Sequence, residues 1–162
     1  MTNREHITIG AGSSMGGSEP VIADAVRFGN LLFLSGRAAV DPATLEIVGD
    51  GFEEQAQIVL RDIGAVLERA GAGWEHVIRI EAFLADAADF PIWNRIWSER
   101  FAPPRPARTT VVTQFAVPDI LIELQVTVGL PGSGPWAAAS SSWEAASPAS
   151  AARTTCAARG TT

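Results

Sequence analysis

The chain has 162 residues, of which 47% are hydrophobic, and carries a formal charge of -6, which suits one domain of ordinary size with a real core. The acidic balance argues against a protein built to coat nucleic acid, where a basic face supplies most of the affinity. The sequence contains no lysine and no tyrosine, which excludes a Schiff-base or pyridoxal-phosphate lysine and any phenolic proton donor.

Residues 1–10 lack the basic-then-apolar pattern of a secretory signal, and Ile7 to Ile9 reads as a first edge strand. Gly10 to Gly17 is a Gly/Ser loop that breaks it. Ile22 to Phe28 and Leu31 to Ser35 read as two strands joined at Gly29-Asn30, residue types that tolerate the backbone of a tight hairpin turn. Gly36 to Gly49 follows as a loop carrying Asp41-Pro42. Asp50-Gly51-Phe52-Glu53 has the form of an N-cap acid and the returning glutamate of a capping box. Phe52, Ala56, Val59, Ile63, Val66, Leu67 and Ala70 then recur at three- and four-residue steps, the buried stripe of a helix that Gly71 stops. His76 reads as part of a surface turn. It and His6 have no Cys or carboxylate at a ligand spacing, so no metal site is expected.

Val77 to Leu84 alternates as a strand, with Ile78, Ile80, Ala82 and Leu84 expected on one side. Asp89 is placed to cap a second helix, with Pro91 in its first turn and a core stripe of Phe90, Trp93, Ile96, Trp97 and Phe101. Pro103-Pro104-Arg105-Pro106 forces an extended linker. Arg108 to Phe115 and Ile120 to Val128 are the last two strands, with a turn around Pro118-Asp119. From Gly132 to Thr162 the composition shifts to Ala, Ser, Thr and Gly, which reads as a low-complexity tail that Trp136 and Trp143 could pin. The expected division is therefore an N-terminal strand and loop over 1–19, a domain over 20–131 and a tail over 132–162. No apolar run is long enough to cross a bilayer. The single Cys156 cannot form an internal disulfide, so a reducing, cytoplasmic setting is expected.

The order is strand, strand, helix, strand, helix, strand, strand: an α+β domain in which two amphipathic helices cover one face of a sheet. The other face still carries apolar residues. With no third helix before the tail, a second copy of the chain is the expected cover.

Three places could carry chemistry. Arg108 opens a β-branched strand; a fixed guanidinium there can grip a carboxylate through two parallel hydrogen bonds, or it can be a plain surface arginine or close a structural salt bridge. Glu123 sits inside Ile120-Leu121-Ile122-Glu123-Leu124. A charged group in an apolar strand needs a partner or its pKa rises, which makes it a candidate base toward water; the alternative is that alternation points it to a wet face. Ser35-Gly36 ends an apolar strand where a glycine either lets backbone approach a ligand or makes a simple bend. No histidine partners Ser35 as a nucleophile, so its hydroxyl reads only as a hydrogen-bonding group.

Several stretches together resemble the reactive-intermediate-deaminase (YjgF) family: Phe28-Gly29-Asn30-Leu31-Leu32-Phe33-Leu34-Ser35-Gly36, Asp41-Pro42, Val66-Leu67-Glu68-Arg69-Ala70-Gly71-Ala72, Phe83-Leu84-Ala85-Asp86 with Asp89-Phe90, Pro106-Ala107-Arg108-Thr109-Thr110-Val111, and Ile122-Glu123. The resemblance covers roughly residues 20–129. It implies a chorismate-mutase-like α+β fold with one mixed sheet, a homotrimer with clefts between subunits, and hydrolysis of carboxylate-bearing enamines and imines to a keto acid and ammonia, without metal or organic cofactor. On that resemblance Arg108 binds the substrate carboxylate, Glu123 orients or activates water, backbone at Gly36 and Thr110 contacts the substrate, and Ser35 borders the pocket. The sequence departs from the family at Ile22, where the deaminating members have a tyrosine, at Arg37, where many have Gln, and at Gln125, where a second Glu is frequent. Arg37 either adds a cation suited to a dicarboxylate, such as an aminomuconate-like enamine, or pairs with an acid and faces solvent. Two other activities stay open: a non-catalytic binder of small carboxylates, and an endoribonuclease, against which the acidic charge and the lack of lysine count.

Overall fold

The structure is a computed structural model describing residues 22–41, 44–131 and the backbone of 4–7. The expected loop at Gly10 to Gly17, Pro42 of the Asp-Pro pair, and the 132–162 stretch with Trp136, Trp143 and Cys156 lie outside the described residues.

Among the described residues, one seven-stranded sheet carries two α-helices. Its strands are β1 (Arg4–Ile7), β2 (Ala25–Phe28), β3 (Leu31–Leu34), β4 (Arg37–Ala38), β5 (Val77–Leu84), β6 (Ala107–Val112) and β7 (Ile122–Gly129). The helices are α1 (Phe52–Arg69) and α2 (Phe90–Arg100). The strand order is β1-β2-β3-β7-β5-β6, with β4 also paired to β7. β5 and β6 are parallel and the other pairs are antiparallel, so this is the expected α+β class with a mixed sheet. Both crossovers, β3 to β5 through α1 and β5 to β6 through α2, step in the same direction along the sheet. Right-handed crossovers then put both helices on one face.

That face holds the core. Ala56, Val59, Ile63, Val66 and Leu67 of α1 and Trp93, Ile96 and Trp97 of α2 pack with Leu32, Leu34, Ile80, Ala82, Leu84, Ile122, Leu124, Val126 and Val128 of the strands. Each aliphatic side chain so buried contributes about 1.5–3 kcal/mol. The β2–β3 hairpin turns at Gly29-Asn30 as expected, with Gly29 at φ 63°. Gly71, at φ 71°, ends α1: its N–H reaches Glu68 O at 3.0 Å, and the Ala72 N–H reaches Leu67 O at 2.9 Å. These are the two bonds of a Schellman cap.

Several local expectations are corrected. Gly51, not Asp50, is the N-cap of α1, and it makes no side-chain cap. The returning acid is Glu54, whose Oε2 accepts from the Asp50 N–H at 2.9 Å, while Glu53 reaches Arg95 of α2 at 2.7 Å. Asp89 precedes α2 without a side-chain cap; Asp86 caps the short turn before it, accepting from Ala88 N at 2.8 Å. Ile78 does not join Ile80, Ala82 and Leu84 in the core. A register shift between Val77 and Arg79 opposite Val128 and Thr127 inserts an extra residue, so Val77 is buried and Ile78 is exposed. Phe90 also stays exposed. The 36–49 loop contains the short strand β4 and a Val40–Ile47 bridge. β1 begins at Arg4, β2 begins only at Ala25, β6 ends at Val112 and β7 begins at Ile122.

Among the described residues, no helix covers the second face of the sheet. Alternation places Val26, Phe28, Leu31 and Phe33 there, with Phe83, Val111, Glu123 and Gln125. Phe28, Phe33 and Val111 are 58%, 44% and 42% exposed. No helix among the described residues is long and apolar enough to cross a membrane.

Candidate functional site

Arg108 is the second residue of edge strand β6. It pairs with Ile80, which is fully buried beneath the helices, so alternation directs its side chain onto the helix face against α2. Its Nη2 donates to Asn94 Oδ1 at 2.8 Å. The guanidinium carbon lies 5.0 Å from the centroid of the Trp97 ring and 5.7 Å from that of Phe90. A cation over an aromatic face gains about 0.5–2 kcal/mol, more as it is desolvated. Among the described residues Arg108 has no acidic partner; its one hydrogen bond goes to a neutral amide. Loss of solvent lowers its pKa, yet a guanidinium stays charged throughout the working pH range. The structural salt bridge weighed from sequence is therefore absent among the described residues.

Thr110, two residues on, shares this face of β6. Its Oγ1 is buried and has no hydrogen-bond partner among the described residues. Unpartnered buried hydroxyls are uncommon, and each calls for an explanation.

Glu123 lies on β7 between Ile122 and Leu124, both 0% exposed on the helix face, so its own side chain points to the open face. Its neighbours in register are Phe83 and Ala38. Burial raises its pKa above the usual carboxylate value. Among the described residues no hydrogen bond or ion pair offsets that desolvation. Gly36 lies directly against it: a Cβ added there would sit 2.9 Å from Glu123 Cδ.

Within one chain, then, Arg108 and Glu123 are on opposite faces of the sheet and do not face each other. Arg108 is grouped with Thr110, and Glu123 with Gly36. Ser35 stands beside Gly36, and its hydroxyl donates to Ala23 O at 2.6 Å. That bond fixes the chain entering β2, consistent with a hydrogen-bonding rather than nucleophilic group.

Arg37 takes the acid pairing of its second sequence reading but not the solvent-facing placement: its side chain is part-buried and its Nη2 pairs with the carboxyl of Asp24. Asp24 is 5% exposed, and Arg37 Nε is buried without a partner among the described residues. Sequence reasoning missed Asp24, although it stands in the apolar run Val21-Ile22-Ala23-Asp24-Ala25-Val26 and the logic applied to Glu123 applies equally to it. Asn94 was missed too. Its signal was a polar side chain set between the apolar positions of α2. Trp97 was assigned to the core alone, and its second role as a face for the guanidinium is invisible to periodicity.

A concavity of the surface lies elsewhere. An open groove of about 640 Å³ runs past the C-terminal ends of β5 and β6, lined by Ala85, Val112, Phe115, Val117 and Ile120 among others. It contains none of the site residues above and no cationic group, so it does not supply the carboxylate grip.

Residues 19–129 match the protein family described as Endoribonuclease L-PSP. A RutC family protein of Pyrococcus abyssi is 37% identical over 103 residues, covering 64% of this chain and 81% of that protein. Reactive Intermediate Deaminase A, chloroplastic, of Arabidopsis thaliana is 38% identical over 88 residues, 54% of this chain and 47% of that protein. Among solved structures, RidA from the Antarctic bacterium Psychrobacter sp. superposes with a TM-score of 0.66 at 28% identity, covering 78% of this chain and 99% of that one.

Proposed function

Given that the chain belongs to the Endoribonuclease L-PSP family, the RidA/YjgF proteins, we propose that it is a cofactor-independent deaminase that hydrolyses carboxylate-bearing enamine and imine intermediates to a keto acid and ammonia. The observation that carries this reading is the state of Arg108. It is a part-buried guanidinium with a neutral hydrogen-bond partner, a ring on one side and no acid among the described residues to balance its charge. Such a group is poised for an external carboxylate.

The site is completed between copies. The open face of one chain, with exposed Phe28, Phe33 and Val111, is covered by a neighbouring copy in a homotrimer. That packing brings the Glu123, Gly36 and Ser35 group of one subunit to the Arg108 and Thr110 group of the next. The opposite-face placement of the two groups is what makes a second copy necessary. Arg108 binds the carboxylate, and the Thr110 hydroxyl and backbone at Gly36 and Thr110 hold its neighbours. Glu123, easily protonated because it is desolvated, takes a proton from water as the water oxygen bonds to the imine carbon. It hands that proton to the nitrogen, giving the neutral carbinolamine. The carbinolamine then collapses: Glu123 takes the hydroxyl proton as the carbonyl forms and delivers it to the nitrogen as the C–N bond breaks, and ammonia leaves with Glu123 again a carboxylate. An enamine first takes a proton at carbon. Because an imine is already electrophilic, positioning and charge stabilisation suffice. Arg37 is paired with Asp24, which favours a monocarboxylate over the aminomuconate-like dicarboxylate. The reaction belongs to the reducing cytoplasm, where the lone cysteine stays a thiol.

A second reading, a binder of small carboxylates without turnover, is favoured by Ile22, an apolar residue where the family tyrosine would stand. An ammonia-release assay on 2-imino acids generated in situ decides between them. Release above the spontaneous rate, reduced roughly 10- to 100-fold by Arg108→Ala, as loss of one charged hydrogen-bonding group implies, supports the deaminase. Binding of the keto acid with no extra ammonia supports the binder. RNA cleavage that survives Arg108→Ala points to the endoribonuclease instead. Light scattering that finds a monomer removes the between-copy site.

A further inference from the structure

The carboxylate reading of Arg108 leaves open how an arginine at the edge of a sheet is kept from swinging into solvent. Four bonds of free rotation would otherwise have to be frozen by each arriving ligand. Three groups of α2 surround the guanidinium. Asn94 Oδ1 accepts from Nη2 at 2.8 Å. The Trp97 ring lies 5.0 Å from the guanidinium carbon, and the Phe90 ring lies 5.7 Å away. Trp97 cannot easily move: it is 6% exposed and packs against Trp93 at 5.9 Å and Phe101 at 4.5 Å between ring centroids. Asn94 sits one turn before it, so the amide and the ring are presented together by a single helix.

We propose that Asn94 and Trp97 are positioning residues that clamp the Arg108 guanidinium in one orientation, so that the substrate carboxylate docks on a preformed fork. The inference rests on the carboxylate-binding reading above, and it adds α2 to the recognition machinery. A neutral amide is the fitting partner for this task. It orients the guanidinium by one hydrogen bond and leaves its charge for the ligand, whereas an acid at the same place would neutralise it. The aromatic face adds attraction without occupying an N–H.

The test uses the full chain, with 2-oxobutanoate as probe. Side-chain NMR relaxation of the Arg108 Nε–H is measured without ligand, and affinity by calorimetric titration, in wild type, Asn94→Ala, Asn94→Asp, Trp97→Leu and Trp97→Phe. The expected result is a rigid Arg108 Nε–H in wild type and Trp97→Phe and a mobile one in Asn94→Ala and Trp97→Leu, with affinity in the two mobile variants lowered about fivefold, the scale of one lost hydrogen bond. Asn94→Asp keeps the arginine rigid yet binds at least about tenfold more weakly, because the new carboxylate competes with the ligand. A merely structural role for Asn94 would not separate rigidity from affinity in this way. An Arg108 as mobile in wild type as in the variants overturns the clamp whether or not ligand binds. Wild-type affinity in Asn94→Asp overturns it as well. A rigid arginine in a wild type that binds no 2-oxobutanoate removes the carboxylate reading itself, and the positioning role with it. Trp97→Phe guards against misfolding: rigidity restored by any aromatic ring assigns the effect to the ring face.

Discussion

The Glu123 carboxyl occupies the space that a side chain at Gly36 would fill: a Cβ added to Gly36 would fall 2.9 Å from Glu123 Cδ and 3.4 Å from its Cγ. The glycine is thus what lets a desolvated carboxyl lie against the backbone at the end of β3, at a position where the backbone itself has no positive φ.

From this follows the behaviour of Gly36→Ala. The obstructing atoms belong to the far half of a flexible side chain, so Glu123 turns away and stability changes by no more than about 1 kcal/mol. Ammonia release falls at least about tenfold if the carboxyl acts as the base. The check is a double-mutant cycle: Gly36→Ala made on top of Glu123→Ala adds no further loss. Full additivity would show that the glycine acts by some route other than Glu123.

Glu123 also makes stability depend on pH. Its pKa is raised in the folded chain by desolvation, so the native state holds the proton more tightly than the unfolded one. Its contribution is fully favourable below the unfolded carboxylate value of about 4.3 and is lost as pH rises through the higher folded value. Glu123→Gln therefore raises the melting temperature relative to wild type at neutral pH, and the difference closes as pH falls below about 4. Thermal melts of both proteins across pH 3 to 8, in roughly constant salt, read this directly. A difference that widens toward acid would mean that an undetected cation holds the carboxylate.

The Asp24–Arg37 pair is more sensitive to losing one partner than to losing both. Asp24→Asn leaves Arg37, already with one buried N–H unpaired among the described residues, without its counter-charge. One-sided breaks of fully buried pairs cost about 3–5 kcal/mol. Arg37 keeps a 23% exposed side chain, so water relieves part of this, and we expect a loss of about 2 kcal/mol by urea denaturation. The double variant Asp24→Asn/Arg37→Gln recovers most of it. Arg37→Gln also leaves the affinity for monocarboxylates unchanged if this arginine is structural.

Gln55 ties α1 to the segment entering β7. Its Nε2 donates to Asp119 O and its Oε1 accepts from Leu121 N–H, both at 2.9 Å, and it is 2% exposed. Gln55→Leu keeps the volume and removes both bonds, leaving a carbonyl and an N–H without partners. The expected cost is about 2 kcal/mol, seen as a lower urea midpoint with an unchanged m-value. A neutral result would place water at both groups.

What could be read from the chain depended on the range of the interaction. The α1 stripe, the Gly71 stop and the Gly29-Asn30 turn were legible because each is decided within a few residues by periodicity or backbone freedom. Ile78 was misplaced because a bulge is a mismatch between two strands and leaves no mark on either alone. The Asp50 cap failed for a similar reason. Asp50, Glu53 and Glu54 all fit the pattern locally, and Arg95, forty-two positions further on, is where Glu53 goes. At the site, the chemical types of Arg108 and Glu123 were evident, one as a cation at a strand start and the other as an acid in an apolar run. Their partners were not: Asn94 and Trp97 reach Arg108 only through the crossover from α2 to β6, and Asp24 meets Arg37 across a hairpin.

The sequence alone determined the inventory: which residues can carry charge, which stripes must be buried, and which chemistries a chain without lysine or tyrosine cannot perform. Tertiary structure decided the facing. Side chains alternate with period two along a strand, so the sheet register, set by pairings between distant segments, placed Arg108 beneath α2 and Glu123 on the open side.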